Sequence, residues 1–311
     1  VLEVRDGALN LHLHLWAWPV AVYLFLGGLA AGLAIFASWA YLAGRRRELY
    51  PSTHWATVLI PPIILIGLIV LWLDLGSKWT PFWLYLTFRI RSPMSWGAWI
   101  LLAILLTSTL AAVPALRLTQ ADASWRFPRL QRRIRLIGQW AGRRMRPLAW
   151  LNLILGAALG LYTGVLLGTM VARPALNSPI LPVLFLASGL SAAAAVLLLL
   201  APGGPAHRFL NHSEIAVEVI ELTLVGLYLI GLATSTAAGQ AAAASLTAGA
   251  LAWAFWPLVI AGGIVLPLGF GVLEARAHNG ARGLTRFSAL LVLIGGLALR
   301  LVLVYAGQRG L

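Results

Sequence analysis

The chain has 311 residues, 60% of them hydrophobic and 10% charged, against roughly 25% charged in an ordinary soluble domain. So little charge cannot clothe a water-exposed surface, which excludes a soluble globular protein. The absence of cysteine excludes disulfides, cysteine-ligated clusters and thiol nucleophiles within this chain, and the net charge of +14 is spread in a way that argues against a nucleic acid partner.

Eight apolar windows fall at 16–42, 54–75, 93–116, 150–171, 181–201, 215–234, 251–272 and 287–306. At about 1.5 Å per residue each is long enough to cross a hydrocarbon core of about 30 Å. The expected fold is therefore an all-α polytopic membrane protein of eight transmembrane helices, arranged as two four-helix bundles, with residues 1–311 forming one membrane domain. The first apolar run lacks a basic n-region and a clear cleavage site, so it is expected to stay in the membrane. Of the 23 lysines and arginines, 16 lie on the side of the odd-numbered connections and six on the other. The positive-inside rule then puts both termini outside and the odd connections in the cytoplasm of a prokaryotic inner membrane.

Along the sequence, LHLHLWAWP sets His12, His14, Trp16 and Trp18 at an outer aromatic belt. His14 suits a proton donor at the outer entrance of a site. Tyr23 lies about 10 Å inside the first helix, and Gly28 and Gly32 give that helix a small face for close contact. VLWLDLG ends the second helix with Asp74 at its outer boundary, where a carboxylate must find water, a donor or a counterion. The connection at 76–92 is rich in aromatic and basic residues and reads as an external segment, an interfacial helix or, equally, a partner-binding surface. Residues 117–149 form an arginine-rich connection that alternates apolar anchors with cations, expected to contain an interfacial helix on anionic lipid.

In the fourth helix Gly156, Gly160, Gly164 and Gly168 repeat along one face, and Tyr162 points away from it. Tyr23, Tyr162 and Asp74 thus share an outer depth. Two hydroxyls and a carboxylate beside an apolar wall suit a quinone, whose carbonyls need donors and whose reduction consumes two protons. Glu218 and Glu221, expected near the cytoplasmic start of the sixth helix, share one side with Glu214 one turn earlier and suit either the mouth of a proton path or helix association. The Ala/Gly-rich connection at 235–250 fits a loop or re-entrant turn. Arg300, about 9 Å below the outer end of the eighth helix, is expected to snorkel outward or to pair with Asp74. The six histidines sit at termini, helix ends or connections, so no transmembrane haem is expected.

WAWPVAVYLFLGGLAAG in the first helix, VLWLDLG, FRIRSPMSWGAWI leading into the third helix and LGLYTGVLL in the fourth resemble the NrfD/PsrC family of membrane subunits that interact with quinones. The resemblance runs over most of residues 14–306. It implies a membrane anchor that exchanges electrons between menaquinone or ubiquinone and a ferredoxin-like four-cluster iron–sulfur subunit, itself joined to a molybdopterin catalytic subunit. It further implies Tyr162 as the quinone-site tyrosine, Asp74 as the acidic outer position with Trp72 beside it, and Tyr23 at a polar position held by histidine in the polysulfide reductase member. That member's first-helix asparagine is replaced here by an apolar residue near Val20. Neither haem nor an iron–sulfur cluster is expected in this chain. Two other functions fit the residues: an ion-coupled secondary transporter using Glu218 or Glu221, with Pro257, Gly262, Gly263 and Pro267 as breaks, and a purely structural anchor.

The charge asymmetry gives the first test. Water-soluble labels should reach Ala8 and the Arg132–Arg144 segment from opposite sides of sealed vesicles; labelling of both from one side would overturn this topology.

Overall fold

The computed structural model describes residues 18–74, 92–116, 128–170, 173–201, 203–276 and 282–308. Ten helices account for nearly all of them: α1 (Trp18–Leu42), α2 (Ser52–Asp74), α3 (Pro93–Leu116), α4 (Pro128–Arg143), α5 (Met145–Gly168), α6 (Leu181–Leu200), α7 (Gly204–Ala233), α8 (Ala237–Thr247), α9 (Ala252–Arg276) and α10 (Arg282–Ala306). All but α4 and α8 are long and apolar enough to span a bilayer, so the eight expected spans are present and the described residues contain no sheet. Their outward surface carries large apolar side chains, among them Leu65, Ile69, Ile154, Ile230 and Ile294. Such a surface is a liability in water and the natural one in lipid.

Helices α1, α2, α3 and α5 pack as one group of four, and α6, α7, α9 and α10 as another. Helix α1 belongs to both, touching α2 and α5 on one side and α6 and α10 on the other. It is accordingly buried along most of its length. Glycine makes the second contact possible. A methyl on Gly32 would stand 2.6 Å from the Ala193 Cβ of α6 and 2.9 Å from the Gly189 carbonyl carbon, and one on Gly189 would stand 2.9 Å from the Gly28 carbonyl carbon. The glycine stripe of α5 does the same for its neighbours: Gly156 meets the Ala31 carbonyl of α1, while Gly160 and Gly164 meet Leu186 and Pro182 of α6. Lipid tails are as apolar as leucine, so close van der Waals packing of this kind drives helix association here.

Three elements differ from the sequence expectation. The sixth span begins at Gly204 rather than at 215 and runs for 30 residues, because the polar run from His207 to Glu214 folds as helix and buries Ala206, Leu210, Asn211 and Glu214 on one face. The 235–250 connection contains helix α8, whose first turn is capped by the Thr236 hydroxyl accepting from the Gly239 N–H at 3.3 Å. Helix α9 is continuous, and over Phe255–Val265 it widens to π-helical turns; Pro257 offers no N–H to the regular ladder there, and Gly263 lies against Gly295 of α10.

The glycine contact predicts a sharp positional contrast. Gly189→Val should lower stability in detergent by at least about 1–3 kcal/mol through overpacking, whereas Gly226→Ala, with open space around it, should unfold at the wild-type temperature. Thermal unfolding of the two variants checks this.

Candidate functional site

Tyr23 and Tyr162 are both buried in the first group of helices, 4% and 7% exposed. Tyr23 enters from α1 and its ring edge faces Gly67 of α2, where an added methyl would stand 3.7 Å away. Tyr162 enters from α5 and its ring lies on Gly97 of α3; a methyl at Gly97 would overlap the phenol outright. Each phenol sits five or six residues from the same end of the bundle, which places both at a depth of about 8–9 Å. Asp74 is the last residue of α2 and belongs to that end, but its side chain, like all of His14, lies outside the described residues. Trp72 is 43% exposed on the outer turn of α2. The structure therefore brings the two tyrosines to one depth of one bundle, with Trp72 and the Asp74 backbone at its rim.

A different set of polar groups is buried in the second group of helices. Glu214, Glu218 and Glu221 follow one another along α7 at spacings of four and three, on one face, and are 3%, 1% and 4% exposed. They stand in the middle turns of a 30-residue helix, not near its start as the apolar window implied. Both oxygens of Glu218 and one of Glu214 have no hydrogen-bond partner among the described residues. Glu221 faces Ser188 and Ser191 of α6 and lies within electrostatic reach of Arg300. At the other end of the row, Glu274 of α9 is held by two short contacts: His207 Nε2 at 2.5 Å and the Thr285 hydroxyl of α10, which donates at 2.5 Å. Glu274 lies within electrostatic reach of Glu214, so the row runs from Glu274 through Glu214 and Glu218 to Glu221.

Arg300 closes the row. It is fully buried, so it does not snorkel outward as the sequence alone allowed. Its Nη1 donates to the Ser188 hydroxyl at 2.9 Å and to the Gly296 carbonyl at 2.7 Å, its Nε to the Leu24 carbonyl of α1 at 3.4 Å, and its Nη2 to the Phe185 carbonyl at 3.3 Å. The guanidinium lies over the rings of Phe25 and Phe185, 5.5 and 5.2 Å from their centroids. Carbonyl dipoles, two aromatic faces and the nearby Glu221 together replace the hydration that this cation loses.

A cavity of about 520 Å³ opens at the arginine-rich end, where α6, α7, α9 and α10 begin or finish, and His207, Asn211, Glu274 and Thr285 are on its wall. Sequence reasoning missed Glu274, His207, Ser188 and Ser191. A signal was present for the first two, as the sole carboxylate of its span and a histidine at the facing end of an adjacent one, but their pairing is non-local. Among the described residues no group of three or more histidines or carboxylates surrounds a metal position.

Eight apolar spans and two glycine-welded helix groups, with no soluble domain among the described residues, define a polytopic helical membrane protein. The family model described as "Polysulphide reductase, NrfD" matches residues 10–310, and the protein belongs to this NrfD/PsrC family. It is 33% identical to the C subunit of the polysulfide reductase of Wolinella succinogenes, with 94% of each sequence covered. It is 34% identical to protein NrfD of Escherichia coli, with 98% of each covered, and 32% identical to the NrfD homolog of Haemophilus influenzae, with 94% of each covered.

Removal of Arg300 leaves three buried carbonyls and Ser188 without their donor and Glu221 without its nearby cation. Arg300→Met should therefore cost about 3–5 kcal/mol, read as a loss of folded, monodisperse protein on extraction, whereas Arg173→Met, at a helix connection with one bond to the Gln308 carbonyl, should cost about 1–3 kcal/mol.

Proposed function

We propose that the protein is the quinone-exchanging membrane subunit of a respiratory oxidoreductase. The single observation that carries this reading is the pair of buried phenols, Tyr23 and Tyr162, at one depth of one helix bundle. A quinone needs donors for its carbonyl oxygens and an apolar wall for its ring and tail. The Tyr162 hydroxyl, pressed into the bundle by its contact with Gly97, supplies a donor whose position is fixed by packing. Tyr23 supplies a second from α1. Asp74, whose backbone ends α2, and His14, which precedes α1 in the sequence, are the groups suited to exchange protons with the aqueous side, and Trp72 forms part of the rim.

Oxidation of a quinol releases two electrons and two protons, and reduction of a quinone takes up the same. The protein has no cysteine and no haem site is proposed, so the electrons must pass to or from a cofactor on a partner. A ferredoxin-like iron–sulfur subunit, itself bound to a molybdopterin catalytic subunit, fits that need and fits the resemblance. The phenols lie at the end opposite the arginine-rich one, the end that the charge bias assigns to the outside, so the proposed partner docks on the outer face. The row from Glu218 and Glu221 to Arg300 extends the proposal. Continued through Glu214 to Glu274 at the cavity, it leads from the arginine-rich end to the turn of α1 beside Tyr23, and its carboxylates can each take and give a proton, a capacity that a purely structural anchor does not need.

The test is quinone-linked turnover in the assembled complex. Tyr162→Phe keeps the aromatic volume and removes one hydroxyl; loss of about 1.5–3 kcal/mol in the transition state gives roughly a 10–150-fold fall in rate. Asp74→Asn should slow the same step and displace its pH profile. A soluble electron donor should still drive the catalytic subunit at the wild-type rate in both variants. Unchanged quinone kinetics in both would reject the site while leaving family membership untouched.

A further inference from the structure

The cavity at the arginine-rich end has a composition of its own. Its volume of about 520 Å³ falls among ligand pockets, which run from about 300 to 1,000 Å³. It sits where hydrocarbon gives way to headgroups, since α6 and α9 end there and α7 and α10 begin. One side of its wall is apolar, formed by Leu198 and Leu199; the other carries Arg208, Arg286 and His212. Both guanidiniums are exposed, and neither has an ion-pair partner among the described residues. The one carboxylate on the wall, Glu274, is already engaged by His207 and Thr285, so it leaves the two cations uncompensated.

The first turn of α7 adds to this field. Gly203 and Gly204 line the cavity with φ of 112° and 71°, a left-handed path open to glycine. The helix has no side-chain cap at this point; Pro205 contributes no N–H, but those of Gly204, Ala206 and His207 have no partner within the helix, and the positive end of a 30-residue helix lies at the cavity. Cations, free N–H groups and an apolar wall at headgroup level are the separate requirements of a phosphodiester carrying acyl chains.

We propose that this cavity binds the headgroup of one anionic phospholipid from the leaflet on the arginine-rich side, its phosphate held by Arg208, Arg286 and the first turn of α7, and its acyl chains leaving over Leu198 and Leu199. The site is separate from the amphipathic helix α4, whose Arg133 and Arg135 lie on an exposed face, and it does not depend on the quinone reading. The bound lipid ties together the four helix ends of the second bundle next to the His207–Glu274 pair.

The experiment uses the full-length protein, purified, delipidated in mild detergent and followed by native mass spectrometry and thermal unfolding. The probes are dioleoylphosphatidylglycerol, dioleoylphosphatidylcholine and inorganic phosphate. The phosphatidylglycerol should be retained as a single adduct and raise the unfolding temperature, while the phosphatidylcholine should not. Arg208→Gln with Arg286→Gln should weaken that adduct roughly 30-fold, about fivefold for each cation, and both side chains are exposed, so the fold should tolerate the change. Arg133→Gln with Arg135→Gln on α4 should leave the adduct intact. Equal retention of the two lipids, or an unchanged adduct in the Arg208/Arg286 variant, would overturn the proposal. Displacement of the lipid and equal stabilisation by inorganic phosphate would also overturn it, and would assign the cavity to a soluble phosphate. None of these readouts involves electron transfer, so their failure is distinct from a failure of the quinone assignment.

Discussion

Everything else in this fold hangs on the backbone contact between α1 and α6. Water drives helices together in soluble proteins, but in lipid that force is absent between apolar surfaces. What remains is dispersion over closely fitted surfaces and the satisfaction of polar groups. Gly28 and Gly32 on α1 and Gly189 on α6 let the two backbones meet with no side chain between them. This brings α1 into the second helix group while α5 and α2 hold it in the first. A single methyl at this crossing would force the halves apart, which makes the glycines a geometric requirement.

Arg300 exploits that crossing. Its Nη2 lies 2.7 Å from where a Gly28 methyl would stand, so the guanidinium fills space that only glycine leaves open. An ionised side chain in hydrocarbon costs several kcal/mol unless its donors are met. Here they are met by carbonyls of three helices and by Ser188. The bond to Leu24 fixes the turn of α1 that carries Tyr23, the adjacent residue. The Tyr23 phenol leaves this turn of α1 toward the first bundle while the Arg300 guanidinium of α10 meets the same turn from the second, so a shift of α1 would displace both.

Much of this was legible in the sequence. Apolar windows gave the number of spans because length against bilayer thickness is a one-dimensional property, and the glycine repeat of α5 announced its packing face, with Tyr162 turned away from it. The errors share one cause: hydropathy averages over a helix and does not see its faces. The segment GPAHRFLNHSE looks like a connection by composition, yet it is the first third of α7, with its polar residues turned toward Glu274 and the neighbouring helices. For the same reason composition put Glu218 and Glu221 at a membrane boundary, whereas they stand mid-helix. The fate of Arg300 was illegible because its partners are carbonyls on α1 and α6, far away in sequence and not encoded by side-chain type. The seat of the Tyr162 ring could have been suspected from Gly97 in SPMSWGAW, although nothing in the sequence aligns α3 with α5 at that register.

The division of polar chemistry between the two bundles bears on the proposed function. The buried carboxylates among the described residues, Glu214, Glu218, Glu221 and Glu274, all lie in the second bundle. The one buried phenol there, Tyr228, donates to the Ala175 carbonyl, whereas Tyr23 and Tyr162 lie in the first bundle, with α1 as the shared wall. A phenol holds its proton across the physiological range and serves as a fixed donor, while a carboxylate is suited to exchange. This division keeps the buried carboxylates away from Tyr162, in the bundle where Ser188, Ser191 and the open cavity are available. The partition is affordable only because α1 can face both ways without bulk, which returns the chemistry to the glycine crossing on which the fold depends.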